Sequence, residues 1–408
     1  MMKEKIIPVL LGADLNCYNV ARAFHEEYGA ASYAFGKYPL GATNHSRIVH
    51  FTAVPDLGDA DTAISTLRDF AASHEGKRIL LGCTDEYAMF ITEHMSELDD
   101  LYIMPYSSAE LVRDITQKDI FYDYCKRYGI PYPETVVWRK GDDASRLDSL
   151  PFDYPVIIKP SSSAEYWHHP FEGMKKVYVA HRPDEARGIL GRIYSSGYEM
   201  NCVIQDFIPG DDSHMYVLTS YSDKNGKVRM MCLGHVLLEE HTPKGLGNHC
   251  AIVTEHKKEL TERFKTFLED IGYVGFSNFD IKYDARTDTY RAFEINTRQG
   301  RSNYYVTAAG YNIARLIVED RITGNITDGC AVNGSEIFWS YIPDCVVKKY
   351  VPADLAYHAM NLKKCGRKYS SLEYPPDLRF NPRRCLFALL HKYHHIKKFK
   401  TYYKVEKQ

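Results

Sequence analysis

The chain has 408 residues, a formal net charge of −2, and 45% hydrophobic and 25% charged residues. It is long enough for two or three domains, and its near-neutral charge excludes a polycation, so we expect no nucleic-acid partner. Ten cysteines without C-x-x-C pairs or zinc spacing argue against a metal finger or disulfide framework and favour reduced thiols in a cytoplasmic protein. The apolar run Ile6–Leu11 is too short for a signal peptide, and no stretch approaches the ~20 apolar residues of a spanning helix.

The first part of the chain alternates short apolar strands with amphipathic helices. Ile6–Gly12 is typical of a buried parallel strand, and the helix that follows it ends at Gly29. The further elements predicted here are strands at Ser32–Phe35, Ile48–Phe51 and Arg78–Gly82, and helices at Ala60–Ser73 and Asp85–His94. This alternation predicts a doubly wound parallel sheet in about the first 110 residues.

A second region follows the predicted helix Thr116–Tyr128 and is dominated by strands. These are predicted at Val156–Lys159, Val177–Ala180, Cys202–Phe207, Met215–Tyr221, Val228–Val236, Phe276–Tyr283 and Tyr290–Asn296. They indicate an α+β region with antiparallel strands. From Cys345 to Gln408 the chain carries 15 Lys and Arg against 4 Asp and Glu. This basic extension is either a solvated helix or packing arm, or a contact for an anionic substrate or membrane surface.

Two segments near residue 290 combine carboxylates with strand alternation. Asp280 lies in the segment Gly275–Asp284, and Glu294 and Asn296 share one face of Tyr290–Arg298. A short connecting loop would set Asp280 opposite Glu294, where like charges are destabilising unless a cation lies between them. Oxygen ligands without histidine or thiol favour Mg²⁺ completed by phosphate oxygens. The alternative to a metal site is that these residues simply form a polar outer face of the sheet.

Two lysines upstream are candidates for phosphate binding. Lys159 ends the apolar run Pro155–Ile158 and precedes a serine-rich loop, so its ammonium group can reach a nucleotide phosphate. Lys118 lies near the start of its helix, where the helix dipole attracts anions. For each of them the alternative is an ordinary solvated lysine.

Two further segments are candidates for substrate contacts. Gln205–Gly210 is predicted to leave a strand for a linker, and its backbone edge can hydrogen-bond an adenine, with Asp211 or Asp212 near the ribose. Arg298 and Arg301 follow the carboxylate strand and can hold a carboxylate or a transferring phosphoryl group. The alternative for the two arginines is ion pairing at the start of a helix.

The order of these motifs resembles the ATP-grasp superfamily over about residues 1–325. The resemblance implies a pre-ATP-grasp α/β domain at 1–112, an ATP-grasp domain at 113–325 with the nucleotide between its two lobes, and a basic extension at 326–408. It further implies contacts of Lys118 and Lys159 with the phosphates, of Gln205, Asp206, Ile208 and Asp212 with the nucleoside, and of Asp280, Glu294 and Asn296 with two Mg²⁺, for which Mn²⁺ can substitute. One departure is Ser161–Gly173, which is serine- and aromatic-rich where that superfamily has a glycine-rich loop.

A closer likeness lies at the N-terminus. Ile7–Phe24 is similar to the opening of bacterial D-aspartate ligases, which attach D-aspartate to the lysine side chain of a peptidoglycan precursor. The segment His241–His249 also looks like the corresponding loop of that group. The substrate-binding residues expected from the sheet domain and from this loop are Asp14, Asn16, Lys244, Asn248 and His249.

The function implied by these resemblances is an ATP-dependent carboxylate–amine ligase. A carboxylate would attack the γ-phosphate of ATP, and an amine would displace phosphate from the acyl phosphate, with Arg298 and Arg301 steadying its oxygens. The specific expectation is D-aspartate, or a similar amino acid, joined to a peptidoglycan precursor. The alternatives are another ATP-grasp ligase that makes a small dipeptide or an amidated metabolite, and a nucleotide-binding protein without catalysis. A dinucleotide oxidoreductase is disfavoured because no G-x-G-x-x-G follows Leu10.

Overall fold

The computed structural model describes residues 5–243, 245–332 and 334–403. Its contacts divide the chain into two compact units that are discontinuous in sequence. Unit 1 comprises Met1–Ala109, Asp212–Asn278 and Asn296–Gln408, and unit 2 comprises Glu110–Asp211 and Phe279–Ile295. The expected domains 1–112, 113–325 and 326–408 are consecutive stretches, whereas the chain leaves unit 1 twice and returns to it twice.

Strands and helices alternate at first and then give way to longer runs of strand. Within the described residues the strands are β1 (Ile6–Leu11), β2 (Ser32–Gly36), β3 (Val49–Ala53), β4 (Lys77–Gly82), β5 (Thr135–Trp138), β6 (Val156–Pro160), β7 (Tyr178–Ala180), β8 (Cys202–Asp206), β9 (Met215–Ser222), β10 (Val228–Glu239), β11 (His249–Glu255), β12 (Gly275–Asp284), β13 (Thr289–Asn296), β14 (Ala331–Val332), β15 (Phe338–Ser340) and β16 (Lys368–Tyr369).

Helices connect these strands and fill the C-terminal part of the chain. In the same described ranges they are α1 (Leu15–Tyr28), α2 (Ala60–Ser73), α3 (Asp85–Glu93), α4 (Met95–Leu98), α5 (Ala109–Thr116), α6 (Lys118–Tyr128), α7 (Ser163–Tyr166), α8 (Pro183–Ser195), α9 (Lys258–Asp270), α10 (Tyr304–Ala308), α11 (Ile313–Val318), α12 (Asp344–Tyr350), α13 (Ala353–Lys364), α14 (Pro375–Leu378) and α15 (Pro382–Tyr402). No helix in the part of the chain that the structure describes is long and apolar enough to cross a membrane.

The N-terminal sheet has four parallel strands in the order β3-β2-β1-β4. All six residues of β1 are buried, as expected for a strand inside a parallel sheet. Helix α1 starts after Asp14, whose carboxylate accepts a hydrogen bond from the N–H of Cys17 at 3.2 Å. It ends at Gly29 with a φ of 64°, a left-handed conformation that favours glycine. The predicted parallel α/β sheet is confirmed.

Two further sheets follow. One has eight strands in the order β13-β12-β9-β10-β11-β15-β16, with β14 paired to β10. The other belongs to unit 2 and is antiparallel, in the order β5-β8-β6-β7. The division between the units falls inside β12, after Asn278, and inside β13, after Ile295. The mixture of parallel and antiparallel sheets agrees with the predicted fold class.

The predicted helix Thr116–Tyr128 begins two residues later than expected. Gln117 has extended backbone angles, with φ −77° and ψ 123°, so it separates α5 from α6 and serves as the N-cap of α6. Lys118 is therefore the first residue of α6. The helix ends at Gly129, which has a φ of 62°.

The basic C-terminal extension is part of the core of unit 1. Its strands β15 and β16 complete one edge of the eight-stranded sheet. Arg384 on α15 forms a buried ion pair with Asp377 at 2.8 Å, and the hydroxyl of Tyr18 on α1 donates to the same carboxylate at 2.9 Å. A buried ion pair is stable only when such additional hydrogen bonds satisfy it. The extension thus packs on the N-terminal segment within one unit.

Candidate active site

The carboxylate of Glu294 on β13 lies between two lysine side chains of unit 2. Lys118 Nζ is 3.4 Å from Glu294 Oε2, and Lys176 Nζ is 3.4 Å from Glu294 Oε1. Lys176, then Lys118 and Lys159, hold the pKa of Glu294 well below its usual range, against the opposing effect of burial. Glu294 is therefore ionised at neutral pH, which is the state needed to bind a metal cation.

Lys159 is the third cation of this group and stands at the end of β6. Its pKa is lowered to about 8, chiefly by burial and also by Lys118 and Lys176, against the opposing effects of Glu294 and Asp280. Its ammonium nitrogen lies 4.6 Å from the centre of the Phe293 ring. Three ammonium groups accompany two carboxylates here, so the group carries excess positive charge. That excess suits a polyphosphate, whose bound oxygens would favour the protonated form of Lys159.

The start of α6 is tied to the loop that follows β6. The Ser161 hydroxyl donates to the Asp119 carboxylate, and Asn201 Nδ2 donates to the other Asp119 oxygen at 2.8 Å. The backbone N–H of Lys118 donates to the carbonyl of Ser161 at 3.2 Å. The ammonium group of Lys118 also lies 3.4 Å from Ser163 Oγ. These bonds position Lys118 relative to the strand that carries Lys159.

The expected metal ligands lie on the neighbouring strands β12 and β13. Asp280 on β12 acts electrostatically on Lys159, and Asn296 Nδ2 donates to the carbonyl of Asn278 at 3.3 Å, which orients its amide. Across the described residues, no group of three or more His, Cys, Asp or Glu side chains could hold a metal ion. Two carboxylates and an amide fit a hard cation that takes its remaining ligands from phosphate oxygens.

The segment that follows β8 is held by side chains of its own unit. Gln205 Nε2 donates to Thr135 Oγ1 at 2.9 Å, and the carboxylate of Asp206 pairs with Arg286, with one contact at 3.2 Å. Lys282 Nζ donates to the carbonyl of Gly210 at 3.0 Å. The side chains of Gln205 and Asp206 therefore fix the course of the segment.

The other two residues expected at the nucleoside differ in surroundings. Ile208 is only 3% exposed. Asp212, in unit 1, accepts hydrogen bonds through Oδ2 from the N–H of Glu239 at 2.9 Å and from His241 Nε2 at 2.8 Å. The carboxylate of Asp212 thus anchors the segment that begins at His241.

Two arginines of unit 1 follow β13. Arg298 forms a two-contact ion pair with Asp85, at 2.7 Å from Nε and 2.9 Å from Nη2. Arg301 is largely buried; burial opposes its charge, but Tyr341, Asp14 and Glu240 raise its pKa overall. Among the described residues its Nε has no hydrogen-bond partner. A buried guanidinium with an unsatisfied donor suits an incoming carboxylate or phosphate oxygen.

Asp14 and Asn16 differ in their surroundings. Burial raises the pKa of Asp14, while Arg301 and Arg298 oppose that shift, so its carboxylate lies in the field of both arginines. Asn16 is 1% exposed, and its Nδ2 donates to the carbonyls of Cys83 at 2.8 Å and Gln299 at 3.0 Å. Asn16 therefore fixes the segment that precedes Arg301.

The loop expected to contact substrate is only partly described, since Lys244 lies outside the described residues. Asn248 Nδ2 donates to the carbonyl of Gly245 at 2.9 Å, which closes the turn. His249 starts β11, and burial lowers its pKa to about 4, so it is neutral at pH 7. Its Nε2 lies 3.4 Å from Glu239 Oε1.

Several residues near these groups carry no motif in the sequence. Lys176 precedes β7 in a stretch that shows only a pair of basic residues. Glu240 accepts from Lys398 Nζ of α15 at 2.8 Å, which brings the C-terminal helix close to the surroundings of Arg301. Tyr341, whose ring centre lies 5.9 Å from the Arg301 guanidinium carbon, comes from β15's connection to α12. These contacts depend on distant parts of the chain, so local spacing holds no signal for them.

Solved structures of the same fold include an amino acid ligase and a biotin carboxylase domain. The L-amino acid ligase of Bacillus licheniformis matches with a TM-score of 0.55 and 13% identity, over 80% of this chain and 78% of that one. The biotin carboxylase domain of the Hydrogenobacter thermophilus 2-oxoglutarate carboxylase, solved with MgADP, matches with a TM-score of 0.59 and 14% identity, over 79% and 71%. Such low identity establishes the fold alone, which is that of the ATP-grasp ligases.

Sequence comparison narrows the class. The chain is 37% identical over 414 residues to the D-aspartate ligase of Enterococcus faecium (strain Aus0004), covering 99% of this chain and 98% of that protein. No family model matches it. The chain belongs to the D-aspartate ligase family and is an ATP-dependent carboxylate–amine ligase of the ATP-grasp superfamily. The expectations of a ligase, of an ATP-grasp fold and of nucleotide use are confirmed.

Proposed function

We propose that this ligase joins D-aspartate, or a similar amino acid, to the lysine side chain of a peptidoglycan precursor. The observation that carries the proposal is the 37% identity to a D-aspartate ligase along nearly the whole of both chains. The likeness at Ile7–Phe24 and at His241–His249 supports it, because these two segments contain the residues to which we assign the acid substrate.

The phosphates of ATP are assigned to the lysine group of unit 2. Lys118 and Lys159 contact the α- and β-phosphates, and Lys176 adds a third ammonium group whose present partner is Glu294. We assign the adenine to the segment of Gln205, Asp206 and Ile208. Asp212 is assigned to the ribose side of the nucleoside, although its carboxylate also holds His241.

Two Mg²⁺ ions are assigned to Asp280, Glu294 and Asn296, and Mn²⁺ is expected to substitute for them. Bound magnesium stabilises negative charge as it shifts among phosphate oxygens. The lysines around Glu294 act as its counter-ions in the free protein. When phosphates bind, Lys118 and Lys176 can turn to them, and the Glu294 carboxylate becomes available to the metal.

The reaction has two steps in which each bond is accounted for. An oxygen of the amino-acid carboxylate attacks the γ-phosphorus of ATP, the bond to the β-phosphate oxygen breaks, and ADP leaves. A neutral amine then attacks the acyl carbon, phosphate leaves with the oxygen it received, and the nitrogen loses a proton to give the amide. The protein contributes orientation and charge stabilisation, with Arg298 and Arg301 as the catalytic donors to the acyl-phosphate oxygens.

The acid substrate is assigned to the surroundings of Asp14 in unit 1. A zwitterionic amino acid needs a cation for its carboxylate and an anion for its ammonium group, and Arg301 and Asp14 provide both. Asn16 positions the segment of Gln299 through its hydrogen bonds. The loop residues assigned to substrate contacts are Lys244, Asn248 and His249.

A substrate screen tests the proposal. The purified chain is incubated with ATP, magnesium, each D- and L-amino acid in turn, and lysine-containing peptidoglycan precursors, with ADP release and the mass of the amide as readouts. We expect D-aspartate to give a product bearing one aspartyl group on the lysine side chain. An amide formed from two small amino acids, with none on the precursor, would instead establish a dipeptide ligase.

A further inference from the structure

The C-terminal helix α15 has one face in the core of unit 1. Its buried residues are Arg384, His395 and Phe399. The guanidinium of Arg384 pairs with the fully buried Asp377 at 2.8 Å. Because these contacts fix the rotation of the helix about its axis, the opposite face is held towards solvent.

That opposite face is apolar along most of its length. We call it the outward face and define it by Leu386, Leu389, Leu390, Tyr393 and Ile396, which recur at the three- and four-residue spacing of one helical stripe. Their exposed fractions are 56%, 65%, 44%, 63% and 38%. Single exposed apolar residues are ordinary, but a contiguous exposed stripe marks an interaction surface.

The charges of α15 are all of one sign. Between Pro382 and Tyr402 the sequence has six Lys and Arg, three His, and no Asp or Glu. Arg383, Lys397 and Lys400 are exposed. Arg383 precedes the outward face by about one turn, and Lys397 and Lys400 continue its line one turn beyond Tyr393 and Ile396. Lys392, beside the apolar stripe, reaches Glu373 at 2.5 Å. The stripe thus has cations at both of its ends, on a helix without acidic residues.

We propose that the outward face of α15 docks on the surface of an anionic lipid bilayer. A helix that lies in a membrane interface combines an apolar stripe, often with an aromatic residue, and bordering lysines and arginines. The stripe enters the boundary between headgroups and acyl chains, while Arg383, Lys397 and Lys400 pair with anionic headgroups. Helix α15 offers both features on a rigid support. None of the residues of the outward face is among those assigned to ATP or to the amino acid.

Charge argues against a second copy of the chain on the same face. Two α15 helices packed face to face would bring Arg383, Lys397 and Lys400 of one copy against the same cations of the other. No acidic residue of the helix could compensate them. An anionic surface supplies the missing charge along the whole length of the helix.

Vesicle flotation with the full-length chain tests the proposal. The probes are vesicles of phosphatidylcholine alone and vesicles that also contain phosphatidylglycerol, each at low and at high salt. We expect the chain to float with the anionic vesicles at low salt, and to remain in solution with the neutral ones. The double variant Leu389→Glu/Tyr393→Glu should lose at least about tenfold in partitioning, because it places charge in the apolar stripe. The pair Lys397→Gln/Lys400→Gln should weaken binding to the anionic vesicles.

Matched variants control for surface charge elsewhere. Tyr357→Glu alters a tyrosine of α13 that is 68% exposed, and Lys348→Gln/Lys349→Gln removes two exposed cations of α12. Both should bind anionic vesicles as the parent does. The proposal is overturned if the parent stays in solution, or if the Leu389→Glu/Tyr393→Glu variant floats equally well. A dimer in light scattering that this variant dissociates, without vesicle binding by the parent, would assign the face to a second copy.

Discussion

The ammonium nitrogen of Lys176 lies 3.4 Å from Oε1 of Glu294, while Lys118 approaches the other oxygen of the same carboxylate at 3.4 Å. A proposed metal ligand is therefore held between two cations. The arrangement explains why Glu294 remains ionised although it is mostly buried. It also predicts that phosphates and metal bind together. Phosphates would draw the two lysines away from Glu294, and the metal would then replace them as the counter-ion of this carboxylate.

Lys176→Met should weaken the binding of ATP. We expect the KM for ATP to rise by roughly tenfold, as for the loss of one charge-assisted contact, with a smaller effect on kcat. Thermal stability should change little, because the side chain of Lys176 is 57% exposed and an exposed ion pair contributes little. The matched control is Lys175→Met, one residue earlier, whose side chain is also exposed. Equal KM values for the two variants would remove Lys176 from the phosphate site.

Binding of ADP or ATP should take up protons at mildly alkaline pH. The pKa of Lys159 is lowered to about 8 in the free protein, chiefly by burial, and bound phosphate raises it again. Below pH 7 the amine is already protonated, so no uptake is expected; above pH 8 uptake should approach about one proton per site. Calorimetry in buffers of different ionisation enthalpy measures the uptake. Lys159→Arg, which stays charged, should abolish it; uptake that persists in this variant would contradict the assignment.

Glu294→Gln should uncouple magnesium from nucleotide binding. In the parent chain, MgADP is expected to raise Tm more than ADP alone, because the metal also binds to Asp280, Glu294 and Asn296 and so strengthens ligand binding to the folded chain. In the variant this increment should largely disappear and ligase activity should fall at least about a hundredfold. Glu172→Gln, an exposed residue of the serine- and aromatic-rich loop, serves as control. A full magnesium increment in Glu294→Gln would exclude Glu294 as a ligand.

Asp14→Ser separates the helix-capping role of Asp14 from its proposed substrate role. Serine can still accept the hydrogen bond that begins α1, but it carries no charge. We expect the KM for the amino acid to rise by roughly tenfold while Tm is nearly unchanged. Asp59→Ser makes the same exchange at the exposed N-cap of α2 and should leave the KM unaltered. An unchanged KM in Asp14→Ser would contradict the placement of the acid.

Arg384→Met should destabilise unit 1. The substitution leaves the buried carboxylate of Asp377 without its counter-ion, a change that costs about 3–5 kcal/mol in buried pairs. The midpoint of urea unfolding should fall accordingly. Arg187→Met breaks exposed contacts with Asp184 and Asp148 and should have little effect. Equal midpoints would mean that the extension is not part of the core of unit 1.

The sequence predicted those elements whose signal is local. The strand Ile6–Leu11, the helix Ala60–Ser73 and the strands that carry Asp280 and Glu294 follow from local apolar periodicity. Strands β5 and β11 were not predicted. β5 has only four residues and follows two prolines. β11 begins at His249, the last residue of the segment that was interpreted as a substrate-binding loop.

The contacts around the site depend on residues far apart in the chain. Lys176 is 118 positions from Glu294, and Lys398 is 158 positions from Glu240. A spacing rule cannot detect such pairs, because the fold and not the neighbouring sequence brings them together. The same holds for the ion pair between Arg298 and Asp85, which gives a proposed catalytic arginine a partner. These contacts add residues to the surroundings of the expected site, whose metal ligands stay a prediction.

Isotope transfer tests the central claim, that an acyl phosphate links ATP cleavage to amide formation. D-aspartate labelled with heavy oxygen in its carboxylates is incubated with ATP, magnesium, a lysine-containing precursor and the chain, and the released phosphate is analysed by mass spectrometry. We expect one heavy oxygen in each phosphate released, together with an amide on the lysine side chain. Unlabelled phosphate accompanying the same amide would contradict it, because the carboxylate oxygen would not have been bonded to phosphorus.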